Sequence, residues 1–166
     1  MVDNIKILKR NILTTRDNLN ILINSDLLNK IDKLSTLIHT SLKNKKKLLF
    51  CGNGGSASEA SHIAAEFVGR YLKERREQPA ISLTTDTSII TAIGNDYSFK
   101  EIFSKQIKAI GNRGDILIAL STSGKSENII HAIKSAKAKG MKTVLFTGEK
   151  KFKHKKLIDV EINAPA

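Results

Sequence analysis

No stretch of the chain approaches the ~20 consecutive apolar residues that a bilayer-spanning helix requires. The first residues, MVDNIKILKRN, contain no secretory hydrophobic region. Both absences lead to the expectation of a soluble, cytoplasmic protein. Cysteine is nearly missing too: the single Cys51 excludes an internal disulfide framework, and its apolar neighbours mark it as a buried structural thiol rather than a nucleophile. Acidic residues are in short supply, 16 against 28 Lys and Arg, for a net charge of +12. Such an excess raises the question of nucleic-acid binding. Its placement argues against that, because the clusters at 43–47, 73–76 and 150–156 each stand at an expected element boundary, as solvated faces do. A general attraction for anionic substrates is their further use.

What is present suits one domain: 166 residues, of which 40% are hydrophobic, can bury roughly 70% of the unfolded surface. The organising stretch is LLFCGNGGSASEASHIAAEFVGR, residues 48–70. Leu48 to Cys51 form a short apolar run ended by Gly52, which suits a strand buried on both faces. Gly52, Gly54 and Gly55 allow a sharp turn and close approach of backbone N–H groups to a ligand. Ser56 with Glu59 has capping-box spacing, so a helix is expected to start at Ser56. Such a start is an anion site. On that helix His62 and Glu66 stand four apart and share a face, putting a base and a metal-ligand type beside the anion site.

Ahead of this unit, Ile5, Leu8, Ile12, Leu19 and Leu22 give an amphipathic helix with no sheet of its own to cover. It packs either on another subunit or back on its own domain. A second helix, capped by Ser25 or Asp26, carries one apolar stripe from Leu27 to Leu42. Beyond it, Ala80 to Leu83 read as a strand ending in Thr84, Thr85 and Asp86, and a helix through Ile89, Ile90 and Ile93 is expected to stop at Gly94. Another runs from Phe99 to Gly111. The strand Ile116 to Leu120, the loop STSGKS and a helix to Gly140 then repeat the central unit, and strands at Val144 to Phe146 and Leu157 to Ile162 follow. The alternation predicts an α/β fold with a parallel five-stranded sheet flanked by helices: a single domain over 1–166, with N-terminal helices over 1–44 and an α/β core over 45–166. Ligands of such sheets bind beyond the carboxyl ends of the strands. There CGNGGS, TTD and STSGKS suggest a small, hydroxyl-rich, anionic ligand, a sugar phosphate.

Two nucleotide motifs fail on inspection. Gly52, Gly54 and Ala57 satisfy G-x-G-x-x-A, but no acidic residue closes the second strand, since Glu74 and Glu77 precede it and Asp86 follows it. Gly124-Lys125-Ser126 ends like a phosphate-binding P-loop, but Ala119 stands where its first glycine belongs.

In their order and spacing, CGNGGSASEASHIAAEFVGRY, AIGNDYSF and ALSTSGKSENII make the chain resemble the sugar isomerase (SIS) family, and within it the phosphoheptose isomerases. The resemblance covers nearly the whole chain. It implies a flavodoxin-like SIS fold with an N-terminal helical extension that helps build a homotetramer. The implied activity is an aldose–ketose isomerisation of sedoheptulose 7-phosphate to D-glycero-D-manno-heptose 7-phosphate through an enediol, for the heptose of bacterial lipopolysaccharide or capsule. By the same resemblance Asn53, Gly54, Gly55, Asn95, Asp96, Ser121, Thr122, Ser123 and Ser126 contact the sugar phosphate. His62 and Glu66 are the implied Zn2+ ligands, and Glu66 is also a substrate contact and the base that moves a proton between C1 and C2.

The family completes this site with a glutamine and a histidine on a further C-terminal helix, which is missing from the sequence up to Ala166. The expectation for these residues is therefore two of the four ligands zinc prefers, one of two acid–base groups, and low activity. The Lys-rich segment 149–156 stands where the family has a glycine-rich loop, and it has no functional account. The alternative reading is a non-catalytic SIS protein that binds the replication initiator DnaA, a relative that lacks the counterpart of Glu66. A sugar-phosphate-sensing regulator is a third, without an attached helix-turn-helix region here.

Overall fold

The computed structural model describes residues 3–148 and 152–165. Two helices, α1 (Asn4–Ile23) and α2 (Leu27–Lys43), precede an alternation of β1 (Leu48–Gly52), α3 (Gly55–Val68), β2 (Ala80–Ser82), α4 (Thr87–Asp96), α5 (Ile102–Ile110), β3 (Ile116–Leu120), α6 (Glu127–Ala138), β4 (Lys142–Thr147) and β5 (Val160–Asn163). Single 3-10 turns stand at Phe99–Glu101 and Lys155–Leu157. All four strand pairs are parallel, in the order β2-β1-β3-β4-β5. The expected five-stranded α/β sheet is present. Of the Lys-rich segment, 149–151 lie outside the described residues.

Side chains of a strand alternate between faces, and both faces here are dry. Leu48, Phe50, Ile116 and Ile118 pack with α2 and α3, while Leu49, Cys51, Leu117 and Ala119 pack with α5 and α6. Burial pushes the Cys51 thiol up to about 12, so it stays protonated and works as a small apolar filler. Lys47 and Asp115 form an ion pair just before β1 and β3, and Asp115 also accepts the Lys47 and Asn112 backbone N–H groups, so the two strands start in step.

The strand order places the switch between outward and return crossovers at β1 and β3. The order in which strands are added reverses there, and the two following connections leave on opposite sides of the sheet, which opens a crevice at the carboxyl ends.

Several expectations need correction. The strand expected from Leu157 starts only at Val160, with Lys155–Leu157 in a 3-10 turn, and the helix expected from Phe99 opens with a 3-10 turn before α5. α4 does not stop at Gly94 but runs to Asp96; Gly94 faces Ile102 at the start of α5, so the missing side chain serves helix approach rather than termination. α1 has no buried residue, and Ile5, Leu8, Ile12 and Leu19 are all more than half exposed. Leu22 alone of that stripe packs against the core. Folding back on the domain thus accounts for little of its apolar face. Among the described residues no helix is long and apolar enough to cross a membrane.

Candidate active site

Two strand–turn–helix units build the site side by side. Gly52 of β1 pairs in register with Leu120 of β3, so the turn at 53–54 and the loop at 121–126 start together at one edge of the sheet. At Gly52 a Cβ would collide with the backbone carbonyl of Ser56, so only glycine lets the strand end meet the first helical turn. Gly54 has φ +55° and ψ −125°, a conformation L side chains rarely adopt.

α3 therefore starts at Gly55, ahead of the expected cap: Ser56 and Glu59 form no capping box, and no side chain closes the helix. The start of α6 is likewise without a side-chain cap, Ser126 being its N-cap residue. α4, by contrast, is sealed by Asp86, which accepts from the Ile89 N–H at 2.9 Å. The unsealed start of α6 leaves the N–H groups of Glu127, Asn128 and Ile129 and the positive end of a helix dipole for an anion, whereas at α3 the Ser56, Ala57 and Ser58 N–H groups already donate to the carbonyls of Asn53 and Gly54. Asp86 is spent on capping, and Thr84 shares a hydroxyl cluster with Ser61 and Ser82. The TTD loop is thus largely structural.

The two units are cross-braced. Asn53 and Asn128 exchange reciprocal amide hydrogen bonds of 2.9 and 2.8 Å. Asn128 is 3% exposed and had no part in the sequence reading. A cleft of about 470 Å³ lies here, lined by Asn53, Ser98, Phe99, Lys100, Ser126 and Asn128 among others. A larger groove of about 1150 Å³ runs between α2 and the segment 75–79, but its floor is apolar and none of the sequence-predicted site residues lines it. The chemistry, not the volume, selects the cleft at the strand ends.

On α3, His62 Nε2 stands 3.8 Å from Glu66 Oε1. His62 is largely exposed, whereas Glu66 is about two-thirds buried. Among the described residues, two buried side-chain atoms lack any hydrogen-bond partner: Glu66 Oε2 and Ser121 Oγ. Burying an unpartnered carboxylate or hydroxyl oxygen costs stability, and native structures rarely keep one without a use. One stands on each unit.

Of the predicted site residues Asn53 and Ser126 line the cleft, while Gly54, Gly55, His62, Glu66, Ser121, Thr122, Ser123, Asn95 and Asp96 stand outside its lining. Thr122 and Ser123 are exposed on the loop, with Ser123 Oγ accepting from the Lys125 N–H. Asn95 and Asp96 lie exposed in the last turn of α4, bonded to each other at 2.9 Å and outside the cleft lining. For zinc the donor types suit, an imidazole beside a carboxylate with a free oxygen. Yet among the described residues no group of three or more His, Cys, Asp or Glu could hold a metal ion. The set is incomplete for a tetrahedral ion.

The SIS domain family model matches residues 16–148. The chain is 52% identical over 126 residues to the phosphoheptose isomerase of Nitratiruptor sp., which covers 76% of this chain and 67% of that one. Among solved structures, a phosphoheptose isomerase from Francisella tularensis superimposes with a TM-score of 0.94 at 33% identity, covering 99% of this chain and 87% of that one. Phosphoheptose isomerase GmhA from Neisseria gonorrhoeae superimposes with a TM-score of 0.84 at 38% identity, covering 96% and 86%.

Proposed function

Because the chain belongs to the SIS domain family and its relatives are named phosphoheptose isomerases, we propose that its site carries out the aldose–ketose isomerisation of sedoheptulose 7-phosphate to D-glycero-D-manno-heptose 7-phosphate. The observation that carries this reading is the pair of unpartnered buried atoms, a carboxylate oxygen on one unit and a hydroxyl on its neighbour.

The phosphate dianion sits at the open start of α6, taking backbone N–H groups and hydroxyl donors from Ser121, Ser123 and Ser126. Gly54 and Gly55 bring the first unit's backbone against the sugar, with Asn53 beside them. Glu66 then abstracts the proton from C1 of the ketose; the C–H electron pair becomes the C1=C2 bond, and negative charge builds on the C2 oxygen. Returning a proton to C2, and moving the hydroxyl proton from the C1 to the C2 oxygen, completes the aldose. A developing enediolate needs a nearby donor, and the Asn53 side chain beside Gly54 and Gly55 is the group assigned to it.

Zn2+ belongs to the proposal only in outline. His62 and Glu66 would hold it and it would polarise the substrate oxygens, but the described donors do not complete its shell and no step above passes through it. Further parts of the reading are a homotetramer built on the exposed stripe of α1, a cytoplasmic location, and supply of heptose for lipopolysaccharide or capsule. The reading as a DnaA-binding protein finds no support in these relatives.

The test follows aldose formation from sedoheptulose 7-phosphate, with Zn2+ added and withheld. Slow turnover that disappears in Glu66→Gln is expected; no aldose under either condition overturns the reading.

A further inference from the structure

One side of the cleft belongs to neither strand–turn–helix unit. Ser98, Phe99 and Lys100 line it from the short turn between α4 and α5, facing Asn53, Ser126 and Asn128. That turn is fastened to α6 by a polar network outside the site described so far. Glu101, the residue after Lys100, uses both carboxylate oxygens: Oε1 meets His131 Nδ1 at 2.8 Å, and Oε2 accepts from the Ser104 hydroxyl. The Ser104 and His131 hydrogen bonds hold the Glu101 carboxyl below the usual carboxylate range. His131 lies three residues past Asn128, close to one turn along α6, so one helix carries both the brace to the first unit and the anchor of this wall. Lys100 is exposed and forms no ion pair among the described residues.

We propose that the Glu101–His131 pair is a clamp that positions the Ser98–Lys100 turn as a third wall of the substrate cleft, with the Lys100 ammonium as an additional binding group for the phosphorylated sugar. A cation on a four-carbon stem at the mouth of the cleft suits a dianion better than it suits a neutral sugar. The clamp suits that role because a carboxylate with both oxygens engaged fixes the turn in rotation as well as in distance. Ser104 does not contact the cleft; it holds Glu101 in the orientation that meets His131. This rests on the isomerase reading and adds to it a residue pair that orients and a residue that binds.

The test is titration calorimetry of the full chain with sedoheptulose 7-phosphate and, separately, with the unphosphorylated heptulose. Lys100→Ala is expected to raise the Kd for the phosphate about tenfold, the loss of one charge-assisted contact, and to leave the neutral sugar unchanged. Lys100→Arg restores binding. His131→Ala is expected to weaken binding to a similar degree, and His131→Gln, whose amide can still donate to Glu101, to recover most of it. In the double variant Lys100→Ala with His131→Ala the two losses do not add, because one acts through the other. Thermal melting accompanies each titration, so a variant that fails to fold is replaced by its conservative partner. Wild-type protein that binds no sugar phosphate overturns the functional reading itself. Wild-type binding with Kd unchanged in Lys100→Ala and His131→Ala, or losses that simply add, overturns the clamp.

Discussion

The units β1–α3 and β3–α6 share a backbone plan and, in the proposed reaction, divide the chemistry. Each has a five-residue strand whose side chains are buried or nearly so, a sharp connection, and a helix whose first turn no side chain seals. In the first, the connection is two residues and glycine-bound, and the proposed base stands well down the helix at Glu66. In the second, the connection is six residues bearing four hydroxyls, and the helix itself offers no acid or base to the cleft beyond its first turn. The open first turn belongs to the second unit, since at α3 the Ser56, Ala57 and Ser58 N–H groups close on Asn53 and Gly54. In the proposed reaction specialisation falls to side chains: one unit reacts and the other holds.

The division is broken most directly at Glu66. Glu66→Gln removes the base and keeps the size, and turnover should fall by about a thousandfold, within the range general bases contribute, with sugar-phosphate Kd changed far less. A Ser126→Ala variant should do the reverse, weakening binding while sparing the rate of a saturated enzyme. If both substitutions moved rate and affinity alike, the units would not be specialised.

The partners across the register, Gly52 and Leu120, differ for a stated reason. A Cβ at Gly52 has the Ser56 backbone in its way, whereas Leu120 is partly buried with room for a full side chain. Gly52→Ala should therefore destabilise by about 2–3 kcal/mol, the cost of forcing atoms into a packed site, as read by denaturant titration. A variant as stable as wild type would show that the start of α3 can shift freely.

Ser121 separates holding from folding. Its buried hydroxyl has no partner among the described residues, so Ser121→Ala should stabilise the ligand-free protein slightly, by up to about 1 kcal/mol, while weakening sugar-phosphate binding about tenfold. Loss of stability together with loss of binding would mean the hydroxyl is satisfied without ligand.

Much of this arrangement was legible in advance because parallel strands announce themselves as short apolar runs and glycines punctuate them. The sheet, its helices and the two neighbouring loops followed from that. Local capping did not: a Ser-x-x-Glu pattern lost to Gly54 and Gly55, which turn the chain into a helix before Ser56 can cap it. Nor was Asn128 visible, since its partner is 75 residues away and no local pattern marks a buried amide as a brace. Glu101 and His131 were hidden by the same distance problem, 30 residues apart and joined only by the packing of the turn on α6. Asn95 and Asp96 were reached through resemblance, and in the structure they are exposed in the last turn of α4, with Asn95 Nδ2 donating to Asp96 Oδ1.

The smallest expected effect concerns the third wall and comes from acid. The Glu101 carboxyl is held below its ordinary value of 4.5, first by Ser104 and then by His131. A carboxyl with a lowered folded-state pKa takes up its proton less readily when native than when unfolded. Its contribution to stability is therefore complete above the ordinary value and drains away as pH falls through the lower, folded one. In melts taken from neutral pH down through the carboxylate range, wild type should lose slightly more stability than Glu101→Gln, which carries no proton-linked group there. The contrast should vanish above the ordinary carboxylate value, where both curves run parallel. Equal acid sensitivity in the two proteins would show that the turn is held by apolar packing on α6 rather than by the charged clamp.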